Sequence, residues 1–312
     1  MTVNPAIPDI LTSLDFVLIE FTLEFQEPFD LDEARMLRLR RDLRSAALLT
    51  LGEDESFSAL FDPPLAEDPV ALKRYQRPGP SFVLRPDPRR CGYYDSGDCL
   101  QMTVLFWGRG IQFIRHFAQT MQTLGKSGLN RGEGCYDLLQ VDARELSGNA
   151  ICLWSGGGWP ERFAPPVASV AWWLDSLAVL DSRAVLEFVT PARLLSAGRP
   201  LFRPTFANLF PFILRRVSSM VHAHCGGADI VPDPRVLQEI AQGVEVLSND
   251  LLWRDWRTLE SEKGAQEIGG VSGRLELCGA GLAEIGWLLR LGSLLHLGKG
   301  AAYGAGCYRL DS

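Results

Sequence analysis

At 312 residues the chain is longer than one hydrophobic core comfortably supports, and it fits two domains. Hydrophobic residues at 46% and charged residues at 22% exclude global disorder, and a net charge of −7 excludes a protein that coats nucleic acid by bulk electrostatics. No apolar run reaches the roughly 18–20 residues of a membrane span, the start MTVNPAIPDI lacks the regions of a signal peptide, and the seven scattered cysteines read as reduced thiols, so a cytoplasmic protein is expected.

From 16 to 25, apolar Phe21, Leu23 and Phe25 alternate with Glu20, Thr22 and Glu24, which predicts a strand. A helix is expected over 31–51, with Asp30 as cap and Gly52 as stop, carrying Arg35, Arg38, Arg40, Arg41 and Arg44. The acids and prolines of 53–80 read as an irregular excursion. Strands near 81–86 and 100–107, a helix over 111–124, a glycine loop and a strand over 135–142 complete a β-α-β-β-α-β order.

The glycines of 156–158 and Pro165-Pro166 mark a connection. The domains expected are 1–150 and 184–312, joined by 151–183. The second half restarts with a strand from Ala184 closed by Pro191. An amphipathic segment over 206–221 and a further helix over 233–247 follow. Strands near 251–259 and 271–278, a helix over 282–296, a second glycine loop and a strand over 305–310 repeat the first order. The fold class expected is α+β, with tandem ferredoxin-like (RRM-like) domains.

The two halves end alike: residues 124–136 read LGKSGLNRGEGCY and residues 297–308 read LGKGAAYGAGCY. Gly125-Lys126-Ser127 is not a P-loop, because position 120 is Thr where the motif needs glycine, and the loop follows a helix instead of opening one. His222, His224 and Cys225 lack the paired Cys-x-x-Cys a zinc site uses, and no metal or other cofactor is expected. The second loop is the strongest candidate site. Gly298, Gly300, Gly304 and Gly306 let backbone N–H groups approach an anion and Lys299 adds charge, although a tight helix-to-strand connection without a ligand has the same residues.

The run GGVSGRLELCGAGLAEIGWLLRLGSLLHLGKGAAYGAGCYRL, together with EFVTPARL (187–194), RRVSSMVHAHCGG (215–227) and the first glycine loop, resembles the CRISPR repeat-processing endoribonucleases of the repeat-associated mysterious protein superfamily. The resemblance spans roughly 100–312. It implies tandem ferredoxin-like folds, CRISPR repeat RNA as partner, other CRISPR effector-complex proteins as further partners, and metal-independent cleavage by 2′-hydroxyl attack. Two features depart from the family: no histidine precedes His116, and Ala301-Ala302-Tyr303 stands where hydroxyl and phenylalanine residues are common.

Cleavage of this kind needs an acid, a base and donors to the phosphorane. The resemblance points to His296 as acid or base, to Lys299 and the loop N–H groups as phosphate stabilisers, and to His224 and Tyr303 as secondary candidates. Tyr303 would stack on a base or brace the loop. RNA contacts are expected from Gly298, Gly300, Gly304, Gly306, Arg35, Arg38, Arg41, Arg215 and Arg216. An inactive RNA-binding or scaffold subunit is the alternative, and a small-molecule-binding ferredoxin-like protein is a third reading.

Overall fold

The computed structural model describes residues 8–67, 71, 78–161, 163–180, 182–227, 229–231, 233–261 and 264–312, and over 256–261 and 264–268 the backbone alone. The chain divides into two compact units. Among the described residues no helix is long and apolar enough to cross a membrane, and the seven cysteines form no disulfide.

One unit holds Leu14–Ser169 with Ala223–Cys225. Its elements are β1 (Asp15–Phe25), α1 (Arg40–Leu51), β2 (Phe82–Arg85), β3 (Cys99–Trp107), α2 (Ile114–Ser127), β4 (Tyr136–Arg144) and β5 (Ala150–Trp154). The antiparallel sheet runs β2-β3-β1-β4-β5, the ferredoxin-like strand order with β5 added at one edge. Alternation buries Phe21, Leu23 and Phe25 completely on one face of β1. Phe117 of α2 packs on Phe21 and the neighbouring strands: its ring lies 5.6 Å from Phe21, 4.9 Å from Phe82 and 5.1 Å from Phe106. Such ring pairs add about 0.5–1.5 kcal/mol each beyond their buried area.

The helix expected over 31–51 is broken. Phe29–Leu31 is a short strand paired with Gly92–Tyr94, so Asp30 cannot cap. Asp32 takes that role, accepting from the Arg35 N–H at 2.6 Å, and Glu33–Met36 makes a single turn before α1 begins at Arg40. The helix Glu55–Phe61 interrupts the expected excursion, and β5 runs into the segment read as a connection.

The other unit holds, among the described residues, 8–13, 170–222 and 226–312. It contains β6 (Arg183–Ala192), α3 (Phe206–His224, to His222 in this unit), α4 (Pro234–Gln242), β7 (Glu245–Asn249), β8 (Leu252–Ser261), β9 (Gly264–Cys278), α5 (Gly281–Leu295) and β10 (Tyr308–Asp311). The sheet runs β7-β9-β6-β10, with β8 also paired to β9, so the ferredoxin-like order recurs. Buried Phe210, Ile213 and Val217 of α3 and Leu282, Ile285 and Leu289 of α5 fill its core. Pro191 does not close β6, because the pairing with β9 shifts register there and a bulge needs no N–H from it. The helix expected over 233–247 ends at Gln242, and Glu245–Asn249 joins the sheet.

Candidate functional site

The two matching endings have one structural task in common. Tyr136 donates its hydroxyl to the Met121 carbonyl of α2 at 2.7 Å, and Tyr308 donates to the Leu289 carbonyl of α5. Burial raises both phenols well above their usual pKa and keeps them as neutral donors. The shared Gly-Cys-Tyr thus fastens the last strand of each core to its helix. The preceding Leu-Gly-Lys differs in fate. The first helix continues through Lys126 to Ser127, whereas α5 stops at Leu295, so Lys299 stands exposed in a loop.

That loop is bound tightly to the end of β6. Lys299 N–H donates to the Arg193 carbonyl at 2.9 Å, Gly306 N–H to Pro191 at 3.0 Å, and Leu297 N–H to Gly306 at 3.0 Å. Thr190 secures the middle: its hydroxyl donates to the Gly304 carbonyl at 2.7 Å and accepts from the Cys307 N–H at 2.9 Å. Gly306 has φ 67°, and a Cβ there would lie 2.0 Å from the Leu297 carbonyl oxygen, so no side chain fits. Six of the loop's N–H groups are already engaged within the protein and do not face outward to an anion. The N–H groups of Lys299, Ala301, Tyr303, Gly304, Ala305 and Gly306 all donate to carbonyls of the protein. Gly304 and Gly306 are buried, while Gly298 and Gly300 are partly exposed.

Among the candidate side chains, Lys299 is exposed, whereas His296 is 0% and Tyr303 6% accessible. His296 ends α5 with φ 60°, an unusual conformation for a non-glycine residue. At 6% accessibility Tyr303 exposes little of its ring for stacking on a base. Arg216 donates to the Leu295 carbonyl, and burial lowers its pKa to about 10, which leaves it cationic at neutral pH. Arg215 is exposed beside Phe212, its guanidinium 5.1 Å from the ring centre.

The remaining candidates lie in the first unit. His224 is buried, its Nε2 2.8 Å from the Gly79 carbonyl oxygen. Arg35 donates to the Asp30 carbonyl at 2.6 Å and pairs with Asp32 and Glu133 at 3.7 and 3.6 Å. Arg41 pairs with Asp42 at 2.9 Å, and Arg38 is half-buried. The second unit therefore brings together Lys299, Gly298, Gly300, Gly304, Gly306, His296, Tyr303 and Arg216.

Two residues there, Thr190 and Arg193, lie in the EFVTPARL segment that carries the resemblance but are given no role at the loop by the sequence. Each lies over 100 residues from its loop partner, and no local pattern links them. Arg193 is partly exposed, its backbone carbonyl accepts from Lys299, and it has no ion-pair partner among the described residues. Among the described residues no three His, Cys, Asp or Glu side chains are placed to hold a metal ion.

Residues 186–308 match the family model of the CRISPR-associated endoribonuclease Cas6, and residues 14–163 match a second model described as an N-terminal domain. No curated protein sequence matches the chain. A solved Cas6 product complex superposes with TM-score 0.55 at 17% identity, covering 95% of this chain and 100% of that one. Thermus thermophilus Cas6 gives 0.52 at 17% identity over 96% and 99%. A partial Cas6-RT-Cas1–Cas2 complex gives 0.58 at 15% identity over 96% of this chain and 46% of that one. At these identities the structural similarities establish the fold.

Proposed function

We propose that this chain is a member of the CRISPR-associated endoribonuclease Cas6 family, whose model matches residues 186–308, and that it binds CRISPR repeat RNA in a precursor transcript and cuts it to release guide RNAs. The observation that carries the reading is that the family match, residues 186–308, falls on the unit whose glycine loop carries the exposed Lys299 and is hydrogen-bonded through its backbone to Arg193.

In the chemistry proposed, a ribose 2′-hydroxyl attacks the adjacent phosphate without a divalent metal. The new O–P bond forms as the bond to the 5′-oxygen breaks, and the hydroxyl proton is ultimately matched by one on the departing oxygen. Lys299 and Arg193 supply positive charge where the phosphorane accumulates negative charge. His296, shielded beneath the loop, acts as a positioning residue that shapes the exit from α5. Repeat RNA is the main partner and other CRISPR proteins are further ones, in line with the neighbour in fold solved as a Cas6-RT-Cas1–Cas2 assembly. The proposed compartment is the cytoplasm, with which cysteines that form no disulfide are compatible.

Incubating the purified protein with a hairpin-containing repeat RNA in EDTA tests this. A single cut is expected, slowed by about 10²–10³-fold in Lys299→Ala if that cation acts as oxyanion stabilisers do. A strict requirement for magnesium would overturn the metal-free step. The burial of His296 and His224 favours a second reading, an RNA-binding subunit without activity, and tight binding with no cleavage would select it.

A further inference from the structure

β9 carries Gly269-Gly270-Val271-Ser272-Gly273, a motif the loop geometry leaves unexplained. Gly269 is accounted for by Trp253 of β8. A Cβ at Gly269 would lie 2.3 Å from the Trp253 indole nitrogen, so the missing side chain makes room for that ring. The indole N–H donates to Asp255 at 2.7 Å, and the Trp253 backbone N–H donates to the Phe202 carbonyl at 3.0 Å. Trp253 is therefore held from three sides.

Its free edge is used by Phe202, whose ring sits 5.5 Å away at 63°. Phe202 nevertheless remains 60% exposed. Ordering a large aromatic against a fixed indole while leaving most of it in water suits a ring awaiting another flat group.

The surrounding charge indicates which group. Arg203 follows Phe202, and Arg199 lies on the hairpin that pairs Leu195–Ser196 with Arg199–Pro200; both are exposed, with no ion-pair partner among the described residues. Asp255, an acid beside the rings, already accepts from the indole. Three backbone hydrogen bonds connect this region to the glycine loop: Lys299 to Arg193, Leu201 to Leu194 and Trp253 to Phe202. Cations flanking an exposed aromatic are what a nucleotide with its phosphates complements, and only an unpaired base can place its face on a side chain.

We propose that Phe202, backed by Trp253, stacks on one unpaired nucleotide of the bound RNA while Arg199 and Arg203 meet its flanking phosphates. This rests on the repeat-RNA reading above and adds a site for single-stranded RNA to it.

The test uses repeat RNA carrying 2-aminopurine at successive unpaired positions beside the hairpin, with Kd and fluorescence measured for the full chain and for Phe202→Ala, Phe202→Leu and Phe202→Trp. One position should be quenched on binding. Phe202→Ala and Phe202→Leu should lose that quench and weaken binding by about 5- to 150-fold, the range of one base–aromatic stack. Phe202→Trp should retain both, and it carries the test together with Phe202→Leu should the alanine variant fold poorly. Arg199→Gln and Arg203→Gln should each flatten the salt dependence by about 0.7, which the Phe202 variants should not. Wild-type binding and cleavage in Phe202→Ala would overturn the platform and leave the endoribonuclease reading standing. Full activity in Phe202→Leu would make the contact merely apolar, of the kind a protein partner uses, and would also overturn it. Failure of the wild-type chain to bind repeat RNA would overturn both readings.

Discussion

Arg216 donates two hydrogen bonds, from Nε and Nη2, to the carbonyl oxygen of Leu295, at 3.2 and 3.1 Å. Leu295 is the last residue of α5, where helix carbonyls lack partners and positive charge is favoured, and the next residue is His296. The guanidinium thus sets where the helix ends and where the glycine loop begins. Sequence reasoning placed Arg216 on RNA phosphate, and here two of its donors are directed at the protein.

Arg216→Ala should therefore destabilise the second unit by about 1.5–3 kcal/mol, the range for a hydrogen bond involving a charged group, as measured by chemical denaturation. RNA affinity should keep its salt dependence in this variant, whereas Lys299→Ala should flatten the slope by about 0.7. Equal flattening in both would return Arg216 to the phosphate path.

Thr190 offers a sharper test of the loop. Thr190→Val preserves shape but strands the Gly304 carbonyl and the Cys307 N–H, and each buried orphan costs about 1–3 kcal/mol. Thr190→Ser should remain near wild type. Among the glycines, Gly306→Ala should prevent the loop from forming, because its Cβ would collide with backbone. Gly300→Ala meets nothing closer than 3.5 Å and carries only the strain of its positive φ. Comparable thermal melting of the two glycine variants would contradict this account.

Much of this architecture is legible in the chain. The alternation of Phe21, Leu23 and Phe25 and the spacing of Ile114, Phe117, Met121 and Leu124 identify core faces directly, and the duplicated Gly-Cys-Tyr marks both helix-to-strand exits. The site is less legible, because exposure and hydrogen bonding are tertiary. His296 and Lys299 are three residues apart, yet one is fully buried and the other exposed. Nothing local announces that Thr190 and Arg193 close over the loop, or that Trp253 needs Gly269 opposite it. The helix over 31–51 broke for a related reason: pairing of Phe29–Leu31 with Gly92–Tyr94 outweighed local helical spacing.

His296 separates a positioning role from a chemical one. His296→Ala should slow single-turnover cleavage while leaving the shape of the pH–rate profile intact. A histidine that moves the proton itself would contribute about 10²–10⁴-fold, and its loss would remove one limb of that profile. Disappearance of a limb would make His296 catalytic and require the loop to open on RNA.

Acid stability tests the first unit. Asp54 accepts from the Ser56 hydroxyl at 2.7 Å and from the Phe57 N–H at 2.9 Å, and these bonds, the Ser56 one foremost, hold its carboxyl below the usual 3.8. Because the folded pKa is depressed, the stabilisation is present above the unfolded value and is lost as pH falls through the folded one. Asp54→Ala should cost about 1 kcal/mol at pH 7 as a lost helix cap. The gap from wild type should narrow in denaturation curves below the unfolded carboxyl pKa, and a gap independent of pH would refute the assignment.

The most direct test of the central claim replaces the nucleotide upstream of the cut by its 2′-deoxy analogue and follows single-turnover cleavage in EDTA. The account predicts that the ribose substrate is cut, that the downstream piece carries a 5′-hydroxyl, and that the deoxy substrate binds with nearly unchanged Kd but is not cut. Cleavage of the deoxy substrate would exclude attack by the neighbouring 2′-hydroxyl and contradict the mechanism.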